Sequence, residues 1–163
     1  MKNPILGEDT TKNMNTVIHS ADDREKELAA RLLSETEPWI TLRISYEQCH
    51  RNCFDPEFQV YIAYTDGIPS GIILIDPRGV AGSPYIKSVA AFPEFRGKGV
   101  GKLLLEHAEM LFRGKSKYLF LCVSTFNKRA QKFYLENGFT QVGELKDYII
   151  EGAGEILMHK RLS

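Results

Sequence analysis

Apolar residues along the chain recur at two spacings, and these spacings predict an alternation of strands and helices. Alternating or continuous apolar runs predict strands at about 16–19, 58–64, 71–75, 85–92, 118–123, 140–149 and 155–161. Apolar positions three and four residues apart predict four helices, which end near Ser34, Cys53, Arg113 and Gly138. The polar stretch 1–15 predicts a loose terminus.

Short polar signals predict where these elements begin and end. Ser20 with Asp23, and Ser45 with Gln48, have the spacing of a capping box and predict the starts of the first two helices. Asp66–Gly67 predicts the turn of an antiparallel hairpin. The residues at 76–79 predict a loop after the hairpin.

The order strand, helix, strand over 85–123 predicts a right-handed crossover with two parallel strands. The segment between the first of these strands and its helix then lies at the carboxyl end of the strand, where open sheets bind ligands. The strands at 58–64 and 71–75 predict an antiparallel hairpin, and residues 151–154 join the last two strands. The elements predict the fold class α/β (α+β), with about seven strands, a central parallel pair and about four flanking helices.

Composition limits the classes of protein that the chain can represent. A length of 163 residues predicts a single domain, and equal numbers of basic and acidic residues (21 each) argue against nucleic acid as a partner. The start of the sequence, residues 1–16, lacks an apolar core of signal-peptide length, and no apolar run approaches the length of a membrane span. We expect no membrane association and a cytoplasmic location, which three cysteines, an odd number, also favour.

The segment 95–102, Phe-Arg-Gly-Lys-Gly-Val-Gly-Lys, predicts a site that binds an anion such as phosphate. Three glycines at alternate positions let backbone N–H groups come close to a ligand, and the N-terminus of the following helix attracts negative charge. The spacing fits neither a Walker loop nor a dinucleotide fingerprint, because Lys102 precedes a leucine and no glycine stands at 102 or 104. It fits Arg-x-x-Gly-x-Gly, with Arg96, Gly99 and Gly101.

A second motif lies about thirty residues further on, as Asn-x-x-Ala-x-x-Phe-Tyr-x-x-x-Gly-Phe over 127–139. Together with the glycine segment and the order of elements, it resembles the GNAT superfamily of acetyl-CoA-dependent N-acetyltransferases. The resemblance runs from about Thr16 to the C-terminus. It implies a mixed, mostly antiparallel sheet of about seven strands with a central parallel pair. It also implies an acyltransferase that moves the acetyl group of acetyl-CoA to a primary amine, without a metal.

The resemblance also implies roles for particular residues. Backbone groups of Val89 and Ala91 would hold the pantetheine arm and the acetyl carbonyl, Asn127 would contact the cofactor arm, and Tyr134 would protonate the departing CoA thiolate. The pyrophosphate would be held by the backbone amides of Arg96, Gly97, Lys98, Gly99, Val100, Gly101 and Lys102. Physical chemistry favours the same roles, because an oxyanion needs a preorganised donor, here a strand N–H freed by a bulge near 89–91, and a thiolate leaves more easily with a proton.

The general base remains open at this stage. Many family members carry an acidic residue in the strand before the glycine segment, whereas this chain has Lys87 and Ser88 there. An attacking amine must be neutral, so a base or a water chain to one is required. The candidate bases are Glu37, His50, Glu57 and Asp76, each of which is also an ordinary surface residue type.

The acceptor pocket of this family is built by the first two helices and the last hairpin. The candidate aromatic residues for this pocket are Trp39, Tyr46, Tyr64 and Tyr148, which suit either a pocket or a core. Glu35 and Glu37 beside Trp39 could attract a cationic amine or could simply be solvated. The sequence does not choose between a peptide N-terminus, a lysine side chain and a small amine.

The cysteines predict packing rather than chemistry. Cys49 and Cys53 fall with Tyr46 on one helical stripe, which favours a buried face over a metal site. Cys122 lies in a continuous apolar run and is expected to be buried and inert, so transfer without an enzyme-bound acetyl group is expected. The alternative is a non-catalytic module that binds or senses acetyl-CoA. Edge strands in the last hairpin make a homodimer conceivable.

Overall fold

The computed structural model describes residues 14–163, and within this range the chain forms seven strands and four α-helices. In chain order they are β1 (Thr16–Ser20), α1 (Asp23–Ser34), α2 (Tyr46–Phe54), β2 (Gln59–Thr65), β3 (Ile68–Val80), β4 (Ser83–Ala91), a 3-10 turn (Pro93–Phe95), α3 (Val100–Phe112), β5 (Tyr118–Ser124), α4 (Lys128–Glu136), β6 (Thr140–Ile150) and β7 (Ala153–Arg161).

The strands form one sheet in the order β1-β2-β3-β4-β5-β7-β6. Every neighbouring pair is antiparallel except β4 with β5, which are parallel and joined through α3. The predicted fold class, a mostly antiparallel seven-stranded sheet with a central parallel pair and four helices, is therefore confirmed.

The helices cover the two faces of the sheet unequally. On one face α3 and α4 pack on the centre of the sheet, with Leu104, Leu105 and Tyr134 in the buried layer. On the other face α1 and α2 pack through residues such as Leu33 and Cys49. Among the described residues, the sheet residues that are buried against α1 and α2 all belong to β2, β3 and β4. The α1–α2 layer therefore does not cover β5, β7 and β6.

Capping boxes begin the first two helices, and one of them is not where the sequence pattern put it. Ser45 and Gln48 form the box of α2 as predicted. In α1 the pair is Asp22 with Glu25, because the Asp22 carboxylate accepts from the N–H of Glu25 and the Glu25 carboxylate accepts in return. Ser20 instead ends β1, where it pairs with Tyr61.

Residues 76–79 do not form the predicted loop. They continue β3 beyond Asp76 with an irregular register, and the chain reverses at Ala81 and Gly82, which have φ of 49° and 80°. Gly79 permits this course, because an added Cβ would lie 2.6 Å from Cβ of Tyr85. Asp76 consequently faces β4 instead of lying in a solvated turn.

Residues 1–13, most of the predicted loose terminus, lie outside the described range. The prediction is wrong for Asn15, which is held to the turn between β2 and β3. Its N–H donates to Oδ1 of Asp66 at 3.2 Å, and its carbonyl accepts from the N–H of Asp66 at 2.9 Å.

Gly71 allows α3 to lie close to the sheet, and Gly71→Ala is expected to lower the free energy of unfolding by roughly 1–3 kcal/mol. The added Cβ would lie 2.7 Å from Cγ1 of Val100 and 2.9 Å from the carbonyl oxygen of Ala90, which is backbone and cannot rotate away. Urea-induced unfolding measures the change. Gly143→Ala is the matched control, because no heavy atom lies within 4 Å of the added Cβ. Equal stability of the two variants would contradict this account.

Candidate active site

The glycine segment forms an exposed turn, and α3 begins directly after it without a side-chain cap. Gly97 and Gly99 have φ of 72° and 85°, a conformation in which glycine is strongly preferred. Gly99 is the N-cap of α3 and offers no side-chain bond to the first turn. Among the described residues we find no partner for the N–H groups of Gly97, Gly99, Val100, Gly101 and Lys102. The turn therefore presents several free donors at the positive end of a helix dipole.

Two residues of this segment differ from the simple prediction that each backbone amide is available. The N–H of Arg96 donates to the carbonyl of Pro93 at 3.4 Å, and that of Lys98 donates to Phe95 at 3.3 Å. Their side chains are exposed, and the Arg96 guanidinium reaches Oγ1 of Thr36 at 3.5 Å. Arg96 and Lys98 can therefore act on an anion through their charges.

The parallel strands separate directly below this turn. Their pairing ends with Ile86 opposite Leu121, although β4 continues to Ala91 and β5 to Ser124. A gap thus opens between the two strands on the side of the glycine turn.

The N–H groups of Val89 and Ala91 point into this gap. The N–H of Phe92 donates to the carbonyl of Ser70 in the hairpin with β3, and successive peptide groups of a strand point to opposite edges. Alternation therefore directs the N–H of Ala90 toward β3 and those of Val89 and Ala91 toward the gap. These two residues line the same cleft as the glycine turn.

The bulge in β4 lies earlier than the sequence analysis expected. Leu74 pairs with Ser88 and Ile75 with Ile86, so the extra residue is Lys87 and not a residue of 89–91. The extra residue places both Ile86 and Val89 against the layer beneath α3, where strict alternation would put them on opposite faces. The free N–H groups arise from the separation of β4 and β5.

Asn127 begins α4 beside the gap. Its side-chain oxygen accepts from the N–H of Ala130 at 3.1 Å, and its amide nitrogen has no hydrogen bond within residues 14–163. The side-chain amide of Gln131 donates to the carbonyls of Ser124 and Thr125, both at 3.0 Å, which fixes α4 to the end of β5. Gly101 lets the helices approach, since an added Cβ would lie 3.1 Å from Cζ of Phe133.

Tyr134 lines the cleft from α4, between the rings of Phe133 and Phe139. Burial raises the pKa of its phenol, so the group stays protonated well above neutral pH. We find no hydrogen bond to its hydroxyl in the part of the chain that the structure describes. The site thus offers a protonated phenol without a competing acceptor.

These features belong to one cleft of about 1070 Å³. It begins at the glycine turn, passes through the gap between β4 and β5, and reaches the open face of β5 and β7. The cationic side chains on the glycine turn and α4 that line it are Arg96, Lys102 and Arg129, and its acidic side chains are Glu35, Glu37, Asp76 and Glu155. Lys87 is the remaining basic residue of the lining, and its ammonium lies 4.6 Å from the centre of the Phe58 ring.

Two of the four aromatic residues proposed for an acceptor pocket line this cleft. Trp39 and Tyr148 do so, and Tyr148 is 66% exposed. Tyr46 lies on α2 at a separate shallow depression with His50. Tyr64 donates to Glu25 at 2.9 Å and stacks on His19, so it serves the contact between β2 and α1.

The candidate bases divide in the same way. Glu37 and Asp76 line the cleft, although Asp76 already accepts from the N–H of Arg78 at 2.9 Å. His50 lies at the depression on α2, stacked on Phe54. Glu57 forms a surface ion pair with Arg78 at 3.3 Å, outside the cleft lining.

Glu155, which sequence reasoning missed, is a buried carboxyl in the cleft. It is 4% exposed and accepts a hydrogen bond from the hydroxyl of Ser124 at 2.6 Å. Burial raises the pKa of this carboxyl, and the hydrogen bond from Ser124 opposes part of the rise. One signal was available in the sequence, because Glu155 is the only charged residue in the apolar run from Gly152 to Met158.

Cys49 and Cys53 are buried as predicted, whereas Cys122 is not fully buried. It is partly exposed and lines the cleft together with Tyr85. Burial raises the pKa of the Cys122 thiol, which keeps it protonated near neutral pH. The expectation of an inert thiol therefore rests on its pKa instead of on complete burial.

Within residues 14–163, no group of three or more His, Cys, Asp or Glu side chains has a geometry that could hold a metal ion. No helix in that range is long and apolar enough to cross a membrane.

Comparison with known proteins gives one family match. A family model described as the acetyltransferase (GNAT) family matches residues 22–139. No curated protein matches the sequence significantly.

Solved structures with the same fold cover most of the chain. A GNAT family acetyltransferase from Elizabethkingia anophelis with acetyl-CoA bound has a TM-score of 0.74 at 20% identity, over 91% of this chain and 99% of that one. The ribosomal-protein-S18-alanine N-acetyltransferase from Escherichia coli has a TM-score of 0.74 at 19% identity, over 91% and 95%. Nourseothricin acetyltransferase has a TM-score of 0.61 at 26% identity, over 67% and 68%.

Proposed function

The chain belongs to the GNAT family of acetyltransferases, and from this premise we propose that it transfers the acetyl group of acetyl-CoA directly to a cationic primary amine. The observation that carries the proposal is the single cleft that joins the glycine turn, the strand gap, Tyr134 and a group of acidic side chains. Each part of that cleft suits one part of the reaction.

The residues at the glycine turn fit the phosphates of acetyl-CoA. The free N–H groups from Gly97 to Lys102 would hold the pyrophosphate, and the charges of Arg96, Lys98 and Lys102 would add to that attraction. The gap between β4 and β5 is open to the pantetheine arm, with Asn127 at its edge. Bound acetyl-CoA supplies the acetyl thioester that the amine attacks.

The residues around the gap can assist both ends of the transfer. The N–H groups of Val89 and Ala91 would stabilise negative charge on the acetyl carbonyl oxygen. Tyr134 would then give its proton to the thiolate that leaves. The raised pKa of Tyr134 keeps that proton in place until it is needed.

The acidic residues support a cationic acceptor. Glu35 and Glu37 come from the loop after α1, Asp76 from β3 and Glu155 from β7, and all four line the cleft. Trp39 and Tyr148 add aromatic surface, which also attracts cations. The structurally similar acetyltransferases whose names give an acceptor act on different molecules. We therefore propose only that the acceptor is cationic and do not propose its identity.

Thiol release from acetyl-CoA with matched four-carbon amines tests this function. We expect 1,4-diaminobutane, with two positive charges, to exceed n-butylamine in kcat/KM by about tenfold, and 4-aminobutyrate to fall below both, since one partly buried ion pair contributes about 1–2 kcal/mol. A peptide with a free N-terminus and a lysine extends the panel. Preference for 4-aminobutyrate would contradict the charge argument. Binding of acetyl-CoA with no transfer to any acceptor would overturn the transferase proposal and favour a sensing module.

A further inference from the structure

We propose that Glu155 is the general base that takes a proton from the attacking amine, and that Ser124 is the positioning residue that orients it. This role rests on the proposed function. It concerns a residue that lies at neither of the two motifs and on a different strand from the position where the family often carries an acid.

Glu155 is distinguished from the other carboxylates of the cleft by burial. Glu35 and Glu37 are exposed residues of the loop after α1. Asp76 accepts from the N–H of Arg78 within its own strand. Glu155 is the one acid of the cleft lining that is buried, and a buried base meets the reacting amine without a layer of bulk water between them.

The sheet places Glu155 and Tyr134 on opposite sides of the reaction gap. Tyr134 belongs to the buried layer beneath α3 and α4, together with Leu121 and Val123 of β5. Side chains alternate along β5, so Ser124 lies on the other face, and Ser124 pairs with Glu155 in the sheet. A thioester in the gap would thus have Tyr134, the acid, on the sheet face covered by α3 and α4. Glu155, the base, would lie on the opposite face, in the part that the α1–α2 layer leaves uncovered.

One oxygen of Glu155 is available for proton transfer. Its Oε1 accepts from the hydroxyl of Ser124 at 2.6 Å, and we find no hydrogen bond to Oε2 among the described residues. Among the described residues, the only side-chain nitrogen or oxygen that lacks both solvent contact and a hydrogen bond is Nε2 of His107. Oε2 of Glu155 has no hydrogen bond, so it must be accessible to solvent, and it is therefore open to the cleft.

The titratable groups that face Glu155 do not compete with it as a base. Cys122 of β5 and Tyr85 of β4 face it, and both have a raised pKa, caused first by burial, so both are neutral. On β6 the uncharged Leu145 pairs with Glu155, and Tyr148 lines the same cleft. Burial also raises the pKa of Glu155, which makes it a stronger base than an exposed carboxylate.

The proton balance of the transfer is complete with these two residues. Glu155 accepts one proton from the ammonium group, and the neutral nitrogen forms a bond to the thioester carbonyl carbon. The carbon–sulfur bond then breaks, and Tyr134 gives its proton to the sulfur. The nitrogen loses a second proton, which restores Tyr134, while the proton on Glu155 passes to solvent.

The pH dependence of kcat/KM for Glu155→Gln tests the role of this residue. Glutamine keeps the shape and can accept the bond from Ser124, so the fold is expected to survive, as melting would verify. At pH 7 we expect a loss of about 10²- to 10³-fold, because general bases contribute about 10²- to 10⁴-fold. The ratio of the parent kcat/KM to that of the variant should fall about tenfold for each pH unit from pH 7 to pH 9. The reason is that the fraction of amine that is already neutral in solution rises about tenfold for each unit. Ser124→Ala should lower kcat/KM less than Glu155→Gln does, and its loss should also shrink as the pH rises.

Glu144→Gln is the matched control, because it removes a carboxylate that lies beside Gly154 and does not line the cleft. Its pH profile should match that of the parent protein. A Glu155→Gln profile parallel to the parent at every pH would overturn the role of Glu155 and leave the proposed function standing. Absence of transfer by the parent protein to any amine would overturn both.

Discussion

Tyr134→Phe is expected to lower kcat by roughly 10²- to 10⁴-fold while the Kd for acetyl-CoA stays within about twofold of the parent value. The substitution removes only the hydroxyl, which has no hydrogen bond in the described part of the chain, so the ring can keep its contacts with Phe133 and Phe139. The lost function is the proton for the thiolate. Stopped-flow or steady-state thiol release measures kcat, and calorimetric titration measures Kd.

The pH profile adds a second readout for Tyr134. Because burial raises the pKa of this phenol above its ordinary value near 10, kcat of the parent protein should not fall between pH 7 and about pH 9 through loss of the Tyr134 proton. Tyr118→Phe is the matched control, since Tyr118 stacks on His159 and does not line the cleft. Equal loss of kcat in both variants, or a large loss of acetyl-CoA binding in Tyr134→Phe, would contradict an acid role for Tyr134.

The double variant Gly97→Val, Gly99→Val is expected to raise the Kd for acetyl-CoA about 100-fold. Both residues have positive φ, which costs a β-branched residue about 1–2 kcal/mol at each position. The new side chains would also occupy open space in front of the free N–H groups, since no heavy atom lies within 4 Å of either added Cβ. Calorimetric titration measures the affinity, and melting without ligand reports the cost to folding.

Gly114→Val provides the control for backbone strain alone. Gly114 has φ of 76° and open space around its Cβ, but it follows the other end of α3 and does not line the cleft. It should lose a comparable amount of stability per substitution and keep the parent Kd. If both variants bound acetyl-CoA like the parent protein, the glycine turn would not be the phosphate site.

The parts of the molecule that sequence could predict are those determined by neighbours in the chain. The glycine turn and the start of α3 follow from backbone conformation within eight residues, and the crossover follows from the order of elements. Capping is local too, yet two candidate capping boxes, offset by two residues, competed at the start of α1. There the Asp22–Glu25 pair formed, because Ser20 is committed to pairing with β2.

The base could not be predicted because its environment depends on register and on uneven coverage of the sheet. Glu155 is buried through its pairing with Ser124, thirty-one residues away in sequence. The same limit explains why the sequence did not exclude Tyr46 and Tyr64 from the acceptor pocket. Their residue type suits a pocket, but neither lines the cleft. The position of the bulge at Lys87 likewise follows from the match between β3 and β4 and from no local signal.

Every role proposed for this cleft requires that the glycine turn and the gap between β4 and β5 bind acetyl-CoA. Thermal melting of the parent protein with acetyl-CoA, ATP or NAD measures whether they do. A ligand at a hundredfold excess over its Kd stabilises the folded state by about 2.7 kcal/mol, so we predict a clear rise in Tm with acetyl-CoA and little change with ATP or NAD. A folded protein whose Tm does not respond to acetyl-CoA, or responds equally to all three, would contradict the claim.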